Sequence, residues 1–348
     1  MFQRFVLLFL TVGLLSTTAQ AKNWDTFEVW QDYLSRHRTE CFPPFAKLRK
    51  KPKLKIGKSV YRLEGTKLVE VKPRRRAQTR VGVISAPKDG TRLTLSNIEN
   101  FVAAFKAKKV HWIVANGDLA YDSKGLPAVL EILGKSGVPV FVSIGNGESV
   151  APFNDHVLAA MEKYSNLFNA NFIRLVEGAG VTMLTMPGYY DPAYIHPEDG
   201  CKYTRKDLQK LSLLARASKS KKLLLVSHGP PKGQGKNSLD VIHDGTNVGD
   251  GMLNTMMAND KISFGIFGHI LESGGRGVNA QNEAVKPGVK SPSLMVNVGS
   301  ASAIPWKMLD GSSAEGMAMV VTVGRAGASY EVLTAAKAVA VKRKAGVK

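Results

Sequence analysis

Four short apolar runs in the middle of the chain each close on a polar residue at a Gly-containing turn. WIVANGD ends on Asp118, VFVSIGN on Asn146, LLLVSHG on His228 and FGIFGH on His269. Runs rich in Val, Ile, Leu and Phe that stop at such turns predict strands buried on both faces of a sheet, with polar residues kept to the rim. Between them, Ile98 to Lys108, Leu126 to Gly134 and Lys206 to Ala217 read as helices, and a longer helical stretch is predicted from Ala159 to Phe172. VGVIS opens the alternation after Arg80, VTMLTMPGYY adds a strand, and LMVNVGS and MAMVVTV are late strands. Strands alternating with helices predict an α/β fold whose parallel sheet has helices outside, and the closing strands predict an antiparallel portion.

The flanks are patterned differently. Trp24, Phe27, Trp30, Tyr33 and Leu34 fall at helical spacing within Asn23 to Arg38, which predicts an amphipathic helix packed on the core. Lys53 to Lys72 alternates around Glu64-Gly65 and reads as a hairpin, followed by a linker at Lys72-Pro73-Arg74-Arg75-Arg76. Pro230 to Gly251 is rich in Gly, Pro, Asn and Asp, so it predicts a loop beside His228. Ala335 to Lys348 shows no strong apolar period and is expected to fray. The predicted organisation is a signal segment over 1–21, a basic N-terminal extension (helix plus hairpin) over 22–79, one large domain over 80–334 and a basic tail over 335–348.

Composition adds a compartment and a charge asymmetry. Met1 to Ala21 has Arg4, then the apolar FVLLFLTVGLL, then Ala19-Gln20-Ala21, the pattern of a cleavable secretory signal. A secreted or periplasmic protein is expected. That apolar stretch is too short to favour a spanning helix, and no later run approaches the ~18 apolar residues a span needs, so no transmembrane segment is expected in the mature chain. Cys41 and Cys201 are the only cysteines; one disulfide is the simplest outcome in an oxidising compartment, two isolated thiols the alternative. The formal charge is +20, and Phe42 to Arg80 alone holds fourteen Lys or Arg against two Glu. Such a cluster would attract an anionic envelope polymer, lipid or nucleic acid, or serve only as a solvated arm. Few aromatics interleave the lysines, which disfavours a stacking platform for nucleic acid.

In open α/β sheets ligands collect at the carboxyl ends of strands. An Asp, an Asn carbonyl and two imidazoles arriving there from separate strands suffice to hold one divalent ion such as Zn²⁺, Mn²⁺ or Fe²⁺, with water completing the shell. Each residue also has a structural reading: a helix cap for Asp118, turn chemistry for Asn146 in Gly145-Asn146-Gly147, a satisfied rim histidine for His228 or His269.

In their order and spacing, Gly117-Asp118, Gly145-Asn146, Ser227-His228-Gly229-Pro230-Pro231, Gly268-His269 and Asn297-Val298-Gly299-Ser300 resemble the calcineurin-like metallophosphoesterase family, over roughly Arg80 to Leu333. The resemblance implies a four-layer αββα sandwich with a binuclear metal centre at one sheet edge. It also exposes departures. The family's opening Asp-x-His is met here by Ala86-Pro87-Lys88, its Gly-Asn-His by Gly145-Asn146-Gly147, and its Gly-His-x-His by Gly268-His269-Ile270-Leu271. The private ligands of the first metal are thereby missing, as is the His that assists the leaving group. The ligands of the second metal match Asp118, Asn146, His228 and His269.

A degenerate member is therefore expected, with one of two functions. One is a single-metal phosphate-ester hydrolase; the alternative is an inactive pseudo-phosphoesterase acting as an anion-binding or scaffold module in the cell envelope. Lys88 would place an ammonium where the lost cation sat and contact an anionic ligand. Glu148 is a candidate acid or base beside Asn146, or only a solvated carboxylate after the turn. Tyr189, Tyr190 and Asp191 line the cleft or only build a tight turn. His243 and Asp244 overhang the pocket or belong to a surface loop. His111 and His156 carry no motif, and no chemistry is assigned to them.

Overall fold

The structure, a computed structural model, describes residues 24–73, 77–122, 124–178, 180–218, 220 and 222–346. The stretch read as a signal segment lies outside the described residues, as do Arg74, Arg75 and Arg76 of the predicted linker. The N-terminal elements are α1 (Trp24–Arg36), β1 (Lys53–Ile56), β2 (Ser59–Leu63) and β3 (Lys67–Glu70). Then come β4 (Gln78–Ile84), α2 (Arg92–Ala107), β5 (Trp112–Asn116), α3 (Gly125–Gly134), β6 (Val140–Ser143), α4 (Val150–Lys163) and β7 (Leu167–Asn169). The second half holds β8 (Leu175–Glu177), β9 (Thr182–Met186), α5 (Arg205–Ala217), β10 (Leu223–Ser227), α6 (Gly251–Asn259) and β11 (Phe264–Phe267). It closes with β12 (Arg276–Val278), β13 (Leu294–Asn297), β14 (Trp306–Lys307), β15 (Ser313–Ala314), β16 (Met317–Gly324), β17 (Gly327–Thr334) and α7 (Ala335–Lys344).

Two sheets face each other. One runs β17-β16-β4-β5-β6-β7, parallel from β4 to β7, with β16 and β17 antiparallel at one side. The other runs β1-β2-β3-β8-β9-β10-β11-β13-β12, and its centre, β9 to β11 and β13, is parallel. The period of two along each buried strand explains the layering. On β5, Trp112 and Val114 point into the core between the sheets, while Ile113 and Ala115 pack under helices. On β10, Leu224 and Val226 face the same inter-sheet core, while Leu223 and Leu225 meet the opposite helical layer.

The helices follow from spacing and caps. α2 buries Ile98, Phe101, Val102 and Phe105 on one stripe and starts at Thr91, whose hydroxyl accepts the Thr94 N–H. α5 buries Leu208, Leu211 and Leu214 on the opposite sheet and starts in a Thr204–Asp207 capping box. The result is the four-layer αββα sandwich.

Three expectations need correction. The helix placed at Ala159 to Phe172 is α4, Val150–Lys163, and the chain turns at Tyr164 into β7. Pro152 falls in the first turn of α4, where a missing N–H costs the helix nothing. The hairpin at Lys53 to Lys72 is a three-strand meander, and β3 pairs in parallel with β8, so these basic strands extend the larger sheet. The expected frayed tail is α7 up to Lys344. Thr334 caps it, Ala338 is fully buried, and Val341 packs on the helical layer that contains α2. A stripe built on alanine is weak in hydropathy but allows close approach.

Cys41 and Cys201 are joined in a disulfide that ties the segment after α1 to the loop before α5. No helix among the described residues is long and apolar enough to cross a membrane.

Candidate metal centre

The carboxyl ends of β4, β5 and β6 in one sheet meet those of β10, β11 and β13 in the other, and the predicted residues sit on the turns that follow. Those turns are tight. Asp118 and His269 adopt left-handed backbone with φ of 54° and 64°, a conformation that costs a non-glycine residue about 1 kcal/mol or more. A Cβ on Gly117 would stand 2.5 Å from His228 Nδ1 and 2.6 Å from the Gly145 Cα, so glycine is needed for the three turns to close on one another.

Asp118, Asn146 and His228 are buried and His269 is partly exposed. One ligand atom from each of Asp118, His228 and His269 lies within 4.8 Å of the others. Asp118 Oδ1 accepts the N–H groups of Asn146 at 3.2 Å and Gly147 at 3.0 Å, and it stands 3.4 Å from His228 Nε2. His228 Nδ1 lies 2.9 Å from the Asn116 carbonyl, which makes that nitrogen the N–H donor. Its Nε2 then faces Asn146 Oδ1 at 2.8 Å, while the Asn146 amide nitrogen donates to the Tyr194 carbonyl at 2.6 Å. So Nε2 and both oxygens are acceptors aimed at one another with no hydrogen of their own to share. Such a donor set is stable only around a cation, either a proton on Nε2 or a metal ion.

The electrostatics agree. Burial alone would raise the Asp118 carboxyl, but the His228 imidazole beside it, and then the charge of Lys88, reverse this and hold it well below the carboxylate range. Burial pushes His228 down, yet the Asp118 carboxylate beside it leaves a net upward shift. His269 is pushed down to about 3, first by burial and then by the charge of His228, so its imidazole is neutral and has a free lone pair. A neutral imidazole, a carboxylate, an amide oxygen and a second imidazole fit a divalent ion.

The other half of the pocket keeps the backbone but has different side chains. Ala86 and Lys88 are also left-handed, with φ of 46° and 68°, and their N–H groups bond to the carbonyls of Gly117 and Asp118. Ala86 offers no ligand, and Leu271 is 4 % exposed in a 3-10 turn. The Lys88 ammonium lies 5.8 Å from the Tyr121 ring centroid and 5.5 Å from that of Trp306, within reach of cation–π attraction. At Gly147, where the resemblance led to a missing His, a Cβ would collide with the Tyr121 ring. The hydroxyl of that ring donates to Asp118 Oδ2 at 2.9 Å. Glu148 is buried beneath the turns, where its carboxylate accepts the N–H groups of Asp118 at 3.1 Å, Gly145 at 2.8 Å and Leu119. All three partners are backbone amides, so the carboxylate holds the turns together.

The remaining candidates separate. Tyr189 is buried with its ring 4.2 Å from that of His269. Tyr190 bonds the Val248 carbonyl on the Pro230–Gly251 loop, and Asp191 caps a short 3-10 turn. His243 stands 4.0 Å from Glu272 and is half exposed, and Asp244 accepts the Thr246 N–H within its own turn. His111 pairs with the Arg80 backbone, and His156 lies on α4. Sequence reasoning missed Tyr121, Trp306 and His196, whose ring lies 6.1 Å from Tyr121. The one available signal was the position of Tyr121 three residues after Asp118, in the same turn.

Two sheets between helices with metal-type ligands on the facing strand ends define a metallophosphoesterase sandwich. A family model described as calcineurin-like phosphoesterase matches residues 94–273, just over half of the 348 residues, and the chain belongs to that family. Among solved structures, the protein TT1561 of Thermus thermophilus is similar at 12% identity and a TM-score of 0.50, over 74% of this chain and 99% of that one. Another crystal structure reaches 0.54 at 14% identity with the same coverage. A dimetal phosphatase from Danio rerio gives 0.47 at 12% identity, over 74% and 98%. At these identities the likeness is one of fold. No curated protein matches the chain.

Proposed function

We propose that this chain is an exported, mononuclear member of its family that binds a phosphate ester or related anion and has lost its hydrolysis. Asp118, Asn146, His228 and His269 hold one divalent ion of the Zn²⁺, Mn²⁺ or Fe²⁺ type. That ion supplies a Lewis-acidic charge for a phosphoryl oxygen. Lys88 presents a second, single charge, near enough to act on the Asp118 carboxyl. The carrying observation is the set of facing acceptors around His228 Nε2, which needs a cation, beside a neighbouring half-site with no ligands.

The loss of turnover is supported by the same geometry. A two-metal clamp has no ligands for its second ion, Glu148 is committed to backbone amides, and the Tyr121 ring fills the place of the assisting His. Export is supported by the leader-like start of the sequence and by the Cys41–Cys201 disulfide. The lysine-rich strands at the sheet edge, with Lys53 and Lys55 exposed on β1, suit an anionic envelope polymer as a further partner.

The test is metal analysis of purified protein after Mn²⁺ loading, with calorimetric titration of inorganic phosphate and a turnover screen of mono- and diesters. One ion per chain, absent in His228→Ala, with phosphate binding weakened by Lys88→Ala and no turnover, is the expected result. Turnover abolished by His228→Ala would replace this reading with a single-ion hydrolase, and a chain that takes up no ion would overturn it.

A further inference from the structure

The mouth of the centre is lined by rings. Among the described residues eight large apolar side chains stay exposed, and four of them, Tyr121, Tyr194, Ile304 and Trp306, lie on the segments that border this site. All three aromatic residues among the eight are included. The three rings come from separate parts of the chain. Tyr121 is on the turn after β5, with its hydroxyl on Asp118. Tyr194 ends the 3-10 turn Pro192–Tyr194, its ring 6.1 Å from that of His269 and its carbonyl bonded to the Asn146 amide. Trp306 is on β14 of the small β14–β15 hairpin, its ring against the Lys88 ammonium.

Tyr121 has a structural reason to be there, since it fills space and bonds Asp118. Trp306 and Tyr194 have much weaker ones. They are 36 % and 40 % exposed and are held by ring contacts, Trp306 against the Lys88 ammonium and Tyr194 edge-on to Tyr189 and His269. Rigid aromatic faces held at the edge of a cationic centre bind flat ligands at little entropic cost. An acyl chain would instead favour an aliphatic groove, and Ile304 is the single aliphatic side chain among the four.

We infer that the aromatic rim is a subsite for the organic part of the ligand, a ring with an apolar face carried on the phosphate that Lys88 and the metal centre receive. This rests on the anion-binding reading above and narrows its ligand class. A pyranose and a nucleobase share the required flat face, and Trp306 is the principal platform for either.

The experiment is calorimetric titration of the Mn²⁺-loaded protein with inorganic phosphate, glycerol 3-phosphate, glucose 6-phosphate and uridine monophosphate. At least one ring ester should bind roughly tenfold tighter than glycerol 3-phosphate, the scale of one ring stacked on one aromatic face. Which of the two does so identifies the ring as sugar or base. The ratio of ring-ester to glycerol-ester affinity should fall toward one in Trp306→Ala and be partly kept in Trp306→Phe. Trp306 is exposed, so the substitution leaves the core intact. Equal binding of all three esters by the wild type, or an undiminished ratio in Trp306→Ala, overturns the inference while the anion-binding reading stands. Failure of the wild type to bind any of the four ligands overturns both.

Discussion

The two halves of this pocket share a backbone and differ in what they ask of it. Around His228 the turns present Asp118, Asn146 and His269, polar groups whose lone pairs converge. Around Lys88 the equivalent turns keep the same left-handed geometry at Ala86 and Lys88, yet the side chains are small, apolar or aromatic, and Leu271 is buried. Strained turns are held by the rest of the fold: on the Lys88 side the Ala86 and Lys88 N–H groups bond to the carbonyls of Gly117 and Asp118, so that turn keeps its shape with no ligating side chain on it. Substitutions in the retained half should therefore be felt in metal affinity, and those in the rebuilt half in stability.

The sharpest contrast is expected from His228→Ala. Loss of an outer-sphere partner alone weakens metal binding by about 10–100-fold, and removal of a ligand should reach at least the upper end of that range. Titration with Mn²⁺ reads this directly, and a wild-type affinity in the variant would mean that the converging acceptors hold only a proton.

On the rebuilt side, Gly147→His tests whether the family's third-motif residue can still be accommodated. Its side chain must displace the Tyr121 ring, and overpacking of this kind costs about 1–3 kcal/mol, seen as a lower urea midpoint. Combining it with Tyr121→Ala should recover part of that loss, because the two substitutions contend for one space. Strict additivity of the two would show that the ring does not occupy the lost residue's place. Leu271→Ala should follow with a loss of roughly 2 kcal/mol in the same denaturation experiment and no change in Mn²⁺ affinity. A change in metal affinity instead would tie the rebuilt half to the centre it is held to have left.

Legibility in the sequence follows the same division. Asp118, Asn146, His228 and His269 stand out because each is the first polar residue after an apolar strand; the α/β class follows from those strands, and the four-layer arrangement from the family resemblance. The substitutes carry no comparable mark. Tyr121 matters because its ring reaches the space above Gly147, and Trp306 because a hairpin far along the sequence brings it to Lys88. Glu148 reads as an acid beside a turn, since backbone N–H partners leave no trace in residue type. α7 hides for a related reason, its buried stripe resting on Ala338 rather than on a large apolar side chain.

The smallest expected effect lies on the boundary between the halves, at the hydroxyl of Tyr121. Tyr121→Phe keeps the ring that fills the rebuilt side and removes only the bond to Asp118 Oδ2. A hydrogen bond to a charged group is worth about 1.5–3 kcal/mol where water is excluded, but this residue is 46 % exposed, so solvent takes over much of the contact and about 1 kcal/mol is expected. Burial and the Asp118 carboxylate both favour the protonated phenol, so the hydroxyl remains a donor across the working pH range and the effect should not vary between about pH 6 and 9. The same bond draws density from the carboxylate that faces the ion, and its loss should make Mn²⁺ binding slightly tighter as stability falls. Opposite signs in the two measurements from one missing oxygen would show Asp118 serving both halves at once, whereas a parallel loss in both would assign Tyr121 to the metal centre itself.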